Sequence, residues 1–79
     1  MKKEKYTVQV IIEQDEDNRY IASCPALQGC YTQGDTFEEA LDNIKEVVRM
    51  CIEELEDEGK PLDLRYPEVI ALKQIEVAV

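Results

Sequence analysis

The 79-residue chain has no histidine, no tryptophan and a single phenylalanine, and only three residues each of cysteine, glycine and proline. Without histidine there can be no Ser-His or Cys-His nucleophilic dyad, and zinc sites built on His–Cys pairs are excluded with it. Cys24, Cys30 and Cys51 are odd in number and lack C-x-x-C spacing. They read as reduced thiols of a cytoplasmic protein, two or three of them buried, and not as a disulfide framework. No apolar run approaches the ~20 residues of a membrane span. Lys2, Lys3 and Lys5 lead straight into a strand pattern with no apolar leader between them, so neither membrane insertion nor a secretory signal is expected. Gly29 and Gly34 stand without a P-loop lysine or a glycine-rich fingerprint, which leaves turn geometry as their reading. Internal repeats and low-complexity linkers are missing as well. What is there is 44% hydrophobic and 34% charged, the balance of a folded globular chain. One domain spanning residues 1–79 is expected, with a core small enough that a homodimer or higher homo-oligomer is expected too.

The charge is unevenly placed. Of the net −9, residues 1–34 carry −1, residues 35–58 carry −8 and residues 59–79 carry none. An acidic surface of this kind repels phosphates, so direct binding of nucleic acid is not expected, whereas a basic protein partner is attractive on the same physics.

Residues 6–12 alternate, with Tyr6, Val8, Val10 and Ile12 on one side of a first strand. Residues 13–18 are polar and turn-prone, with Asn18 suited to positive φ. A second strand is expected over 19–23, where Tyr20 and Ala22 share a face. Pro25 ends it, residues 24–29 form a loop, and a third strand covers 30–33. Thr36 and Glu39 then form a capping box that opens a helix of about 22 residues, with Asp35 and Glu38 adding negative charge at the positive end of its dipole. Phe37, Ala40, Leu41, Ile44, Val47, Val48, Cys51 and Leu55 make its apolar stripe, Gly59 sits at its C′ position, and Pro61 prevents continuation. Residues 69–79 return to alternation, with Ile75, Val77 and Val79 against Glu76 and Ala78. The expected order is β-β-β-α-β: an α+β, two-layer fold with an antiparallel meander, one long helix on one face, and a parallel fourth strand beside the first through a right-handed crossover. The face away from the helix is mixed (Thr7, Gln9, Ile11, Arg19, Ile21, Tyr31, Gln33 and Ala78), which suits an association surface.

Two acidic groups invite a chemical reading. Asp15, Glu16 and Asp17 form the dense carboxylate cluster outside the helix, but a hard cation needs convergent, spaced ligands, and a solvated turn is the simpler account. No metal and no cofactor are expected. On the helix, Glu38, Asp42, Glu46 and Glu53 follow at spacings of four, four and seven and share one face. Like charges four apart repel by a few tenths of a kcal/mol per pair, and a basic partner would turn that cost into attraction.

The run from Tyr20 to Leu41 resembles the signature of the HicB-type antitoxin family. The pieces are Cys24-Pro25-x-Leu27-x-Gly29-Cys30, then Thr32-Gln33-Gly34-Asp35-Thr36, then Glu38-Glu39-Ala40, followed by Asn43-Ile44-Lys45-Glu46 and Gly59-Lys60-Pro61-Leu62. The likeness extends over about residues 6–65. It departs from the family pattern at Asp17-Asn18-Arg19-Tyr20, where Asp-Gly-Gly-Tyr is common, and at Gln28, where proline is frequent. The resemblance implies a partial RNase H-like fold and the short form of the family, without a C-terminal DNA-binding domain. It also implies a small basic HicA-like toxin as partner, an RNA-cleaving protein that the antitoxin binds and blocks. The alternative it leaves open is a stand-alone homo-oligomeric HicB-like protein that binds another ligand or protein. Metal-dependent RNA hydrolysis would need several carboxylates converging on two ions about 3.5–4 Å apart. The first strand centres on Val8, Gln9 and Val10 instead, so the chain is not expected to be an enzyme.

Overall fold

The computed structural model describes residues 5–65 and 71–79. In chain order the elements are β1 (Ile11–Gln14), β2 (Tyr20–Ser23), β3 (Tyr31–Gly34) and α1 (Phe37–Asp57). The strands form an antiparallel sheet in the order β1-β2-β3, and α1 lies across one face of it, most closely against β3. This is the α+β meander-plus-helix arrangement expected from the alternation and the period change at Gly34.

The turn between β1 and β2 is organised by one carboxylate. Asp15 Oδ1 accepts the backbone N–H groups of Asp17 and Arg19, each at 2.9 Å. The Asn18 N–H donates to the Asp15 carbonyl at 3.1 Å, and Asn18 itself takes φ 64°. An Asx-type turn of this kind lets Glu13 and Gln14 stay in the ladder, so β1 runs two residues further than the polar composition of 13–18 predicts. At its other end the β1–β2 ladder starts at Ile11, opposite Ser23. Beyond Ser23 the backbone of β2 turns away at Cys24 and meets Pro25, which has no N–H to give. Residues 6–10 therefore lie outside the ladder. Tyr6, Val8, Val10 and Ile12 nevertheless all pack against the core, as the alternation requires.

The link from β2 to β3 is tight. The Cys24 N–H donates to the Cys30 carbonyl at 2.9 Å, the Leu27 N–H to the Cys24 carbonyl, and the Cys30 N–H to the Leu27 carbonyl. Gly29 adopts φ 74°, which a side chain would strain. The link buries Cys24, Leu27 and Cys30.

Gly34 ends β3 where the helix begins. A Cβ there would stand 2.6 Å from the Ala40 nitrogen and 3.0 Å from its Cα, so only glycine allows the strand to lie against the first turn of α1. Thr36 caps the helix: the Glu39 N–H donates to Thr36 Oγ1 at 3.0 Å. The reciprocal bond lands one residue early, with the Asp35 N–H donating to Glu39 Oε1 at 3.1 Å. At the far end Gly59 sits at φ 67°. Its N–H donates to the Glu56 carbonyl while the Lys60 N–H reaches Leu55, the paired bonds of a Schellman motif.

The buried cluster comprises Ala22, Cys24, Leu27, Cys30, Ala40, Ile44, Val48 and Ile52. Ile44 is its centre. The expected stripe omitted Ile52, and of its members Leu41 is half-buried at the margin of the cluster. Phe37 is partly exposed and meets Tyr20 edge-on, with ring centroids 6.5 Å apart.

The fourth strand is the main correction. Residues 71–79 have no regular secondary structure and are exposed throughout. The remainder of that stretch, 69 and 70, falls outside the described residues, as do Tyr66 and Pro67. Alternation records a segment's readiness to bury one side, but a strand needs a hydrogen-bonding neighbour, and residues 71–79 have none among the described residues. Among the described residues the structure shows three antiparallel strands and one helix, and does not show a parallel fourth strand or the partial RNase H-like fold.

Candidate functional site

The outer face of α1 is set by the inner one. Burial of Ala40, Ile44, Val48 and Ile52 fixes the rotation of the helix and turns Glu38, Asp42, Glu46 and Glu53 to solvent, all four exposed. The four do not carry equal free charge. Arg49 lies between Glu46 and Glu53 on the same face. Its Nη1 donates to Glu53 Oε1 at 2.6 Å, its Nε to Glu46 Oε2 at 3.3 Å, and its Nη2 to Glu46 Oε1. The hydrogen bonds from Arg49, and its charge, hold the Glu46 carboxyl below its usual range, and the Arg49 guanidinium is raised in return. The lower half of the row is thus an i,i+3/i,i+4 network that supports the helix. Glu38 and Asp42 make no ion pair among the described residues and give the face its unneutralised charge.

The C-terminal end of α1 adds to this. No basic residue sits in its last turn. Glu56 accepts a hydrogen bond from the Tyr6 hydroxyl at 2.8 Å, and Glu58 pairs with Lys60 at 3.4 Å. Glu54 and Asp57 have no ion pair among the described residues.

The other singled-out residues are occupied by the fold. Asp35, Thr36 and Glu39 cap the helix. Gly29, Gly34 and Gly59 serve turn, close approach and cap, and Pro25 closes β2. Asp15 is consumed by its turn. Among the described residues no group of three or more His, Cys, Asp or Glu side chains has the geometry to hold a metal ion. Cys24 and Cys30 are buried, Cys51 is half-buried, and all three are free thiols. Burial, followed by hydrogen bonding and charge repulsion from Cys51, pushes the Cys30 thiol up to about 12. A thiol held protonated in this way is a poor nucleophile, so Cys30 serves packing. Asn43 belongs to the signature, but its role was not legible there: its side-chain amide donates to the Gln33 carbonyl at 3.0 Å and ties α1 to β3. Its place in a polar stretch of the helix gave no hint of a strand contact.

Residues 8–76 match the model of a family described as the HicB-like antitoxin of bacterial toxin–antitoxin systems. The chain belongs to the HicB-like antitoxin family. Curated relatives agree in extent. A UPF0150 protein of Thermotoga maritima is 36% identical over 78 residues, covering 98% of this chain and 97% of the relative. The UPF0150 protein Ta0767 of Thermoplasma acidophilum is 52% identical over 58 residues, 73% of this chain and 81% of its own. The UPF0150 protein ssr1765 of Synechocystis is 47% identical over 60 residues, 76% of each chain. No solved structure matches. Among the described residues no helix is long and apolar enough to cross a membrane.

Proposed function

We propose that this chain is a cytoplasmic, non-enzymatic antitoxin, a single domain that binds a small basic RNA-cleaving toxin of the HicA type and blocks it by covering its active surface. The observation that carries this reading is the family match over residues 8–76. The outer face of α1 gives it a physical route. Glu38, Asp42, Glu46 and Glu53 offer carboxylates to basic side chains that otherwise meet RNA phosphate. Charge of this kind mainly speeds encounter and makes it salt-sensitive. Glu38 and Asp42 lead, because Glu46 and Glu53 are already engaged by Arg49. No group of this chain has to do chemistry for occlusion to work.

The test starts from whether a short basic reading frame adjoins the gene, and is then an RNA-cleavage assay of that HicA-type protein, titrated with the purified chain. Cleavage should stop near one-to-one stoichiometry, and undiminished cleavage at excess refutes the antitoxin reading in favour of another ligand. Stopped-flow association then locates the surface. Changing Glu38, Asp42 and Glu46 together to Lys should slow association by about tenfold or more at low salt, with a smaller effect on release. An unchanged on-rate removes the helix as the steering face.

A further inference from the structure

The three cysteines are scattered in sequence and meet in the fold. The register that sets Ser23 opposite Tyr31 sets Cys24 opposite Cys30 one step further on, and the Cys24 N–H donates to the Cys30 carbonyl at 2.9 Å. Alternation puts Cys24 on the inner side with Ala22, and Cys30 is buried beside it. Cys51 reaches the same place from α1. It follows the buried Val48 by three residues and the buried Ile44 by seven, and it packs against the cluster that holds Cys24 and Cys30. The Cys30 thiol is within hydrogen-bonding reach of both other thiols, Cys51 foremost. Access is unequal: Cys24 and Cys30 are 2% and 3% exposed, whereas Cys51 is half-buried and keeps part of its surface at solvent. What three adjoining thiols have that an apolar trio lacks is a two-electron chemistry.

We propose that Cys51 and Cys30 are a peroxide-sensitive thiol pair that closes reversibly into a disulfide between α1 and the start of β3. Peroxide meets the outer thiol first: Cys51–SH and H₂O₂ give Cys51–SOH and water. The Cys30 sulfur then attacks the Cys51 sulfur. The S–S bond forms as the Cys51 hydroxyl leaves with the Cys30 proton as a second water. Two thiols have lost two electrons and two protons, and one peroxide has become two waters. A thiol reductant reverses the closure. The order follows from the surroundings. Cys30 is buried and held protonated, in part by Cys51 itself, so it cannot start the reaction, and the influence of the Cys51 thiol ends once that thiol is oxidised. Cys24 is as closed to solvent as Cys30 and stays a thiol. The pair lies on the inner side of α1, so it does not engage the acidic outer row and does not depend on the toxin reading.

The test uses the purified protein, reduced, freed of reductant and treated with a small excess of hydrogen peroxide. Titratable thiols in denaturant should fall from three to one, and the intact mass of the single chain should fall by two hydrogens. Peptide mapping without reduction should join Cys30 to Cys51, and dithiothreitol should restore all three thiols. Cys51→Ser should keep its two remaining thiols through the same treatment, and Cys24→Ala should close like the wild type. A wild type that keeps three thiols overturns the proposal. So does oxidation that stops on Cys51 as a sulfinic acid, a bond that uses Cys24, or a bond that joins two chains. The mapping is made on the wild type, so it decides the matter even where a variant fails to fold.

Discussion

Shortening Ile44 to alanine is the sharpest probe of the helix–sheet packing. Ile44 is 0% exposed and shares its cluster with Ala22 and Ala40, both also fully buried. Ile44→Ala deletes three carbon groups, worth about 0.8 kcal/mol each in transfer alone. The surroundings cannot close the gap, because the two nearest small residues are fixed, one in a central strand and one a helical turn away. A cavity contribution is then added, which puts the loss at about 3–4 kcal/mol within the usual range of 2–5 for such changes. A chain of this length has about 4–12 kcal/mol in total, so the loss takes about a quarter of it or more. Leu41 is half-buried at the stripe's margin, and Leu41→Ala should cost about half as much, roughly 1–2 kcal/mol. Glu54→Ala, fully on the surface, should stay within about 0.5 kcal/mol. Urea unfolding followed by circular dichroism at one fixed protomer concentration measures all three, since self-association would otherwise shift the midpoints. If Leu41→Ala costs as much as Ile44→Ala, the helix is rotated from the position described here and the outward direction of Glu38 and Asp42 falls with it.

Two further outcomes follow from single contacts. Gly34→Ala pushes a Cβ to 2.6 Å from the backbone nitrogen of Ala40, and it should cost about 2 kcal/mol in a urea titration after its smaller gain in unfolded-state entropy; a neutral result would mean that β3 and α1 are not in contact there. The Cys30 thiol is raised from 9.0 to about 12 by burial and by Cys51, so the folded state holds a proton that the unfolded state releases. Its contribution is whole below about pH 9 and is lost as pH rises toward 12. With reductant present, the wild type should lose stability over that window faster than Cys30→Ala, and parallel pH profiles would remove the desolvated thiol from the account.

Local signals were the legible ones. The capping box, the apolar period and Gly59 bounded the helix to within about one residue, because each is a property of a few neighbouring side chains. Asn18 was read correctly as a positive-φ position for the same reason. The strands were legible as elements and as faces, with Ala22 inward and Ile21 outward, but their ends were not. The β1 ladder stops where Pro25 denies it a partner and continues through Gln14 because Asp15 holds the turn, and both causes lie outside the strand's own pattern. The C-terminal alternation misled for a related reason, since it says that Ile75 and Val77 suit a buried side but not whose surface buries them. On the helix the acidic row was visible in the spacing, while its division by Arg49 depended on rotamers that no spacing reveals.

Most signature residues serve the fold, whereas Glu38 and Glu46 belong both to the signature and to the candidate binding row, and this bears on where specificity resides. Pro25, Leu27, Gly29, Gly34, Thr36, Glu39, Ala40 and Gly59 are each accounted for by a turn, a close backbone approach, a cap or a core contact. They make the β2–β3 link and the start of α1 fold in one way. On the proposed antitoxin reading, discrimination between one basic partner and another would rest on exposed positions of this scaffold, Glu38 and Asp42 among them. Charge at these two governs how fast a basic partner arrives, whereas an exposed aromatic such as Tyr31 contributes mainly after contact, through desolvated packing. Exchanging Glu38 and Asp42 for the residues of a related antitoxin should consequently alter association rates and salt dependence while stability remains unchanged.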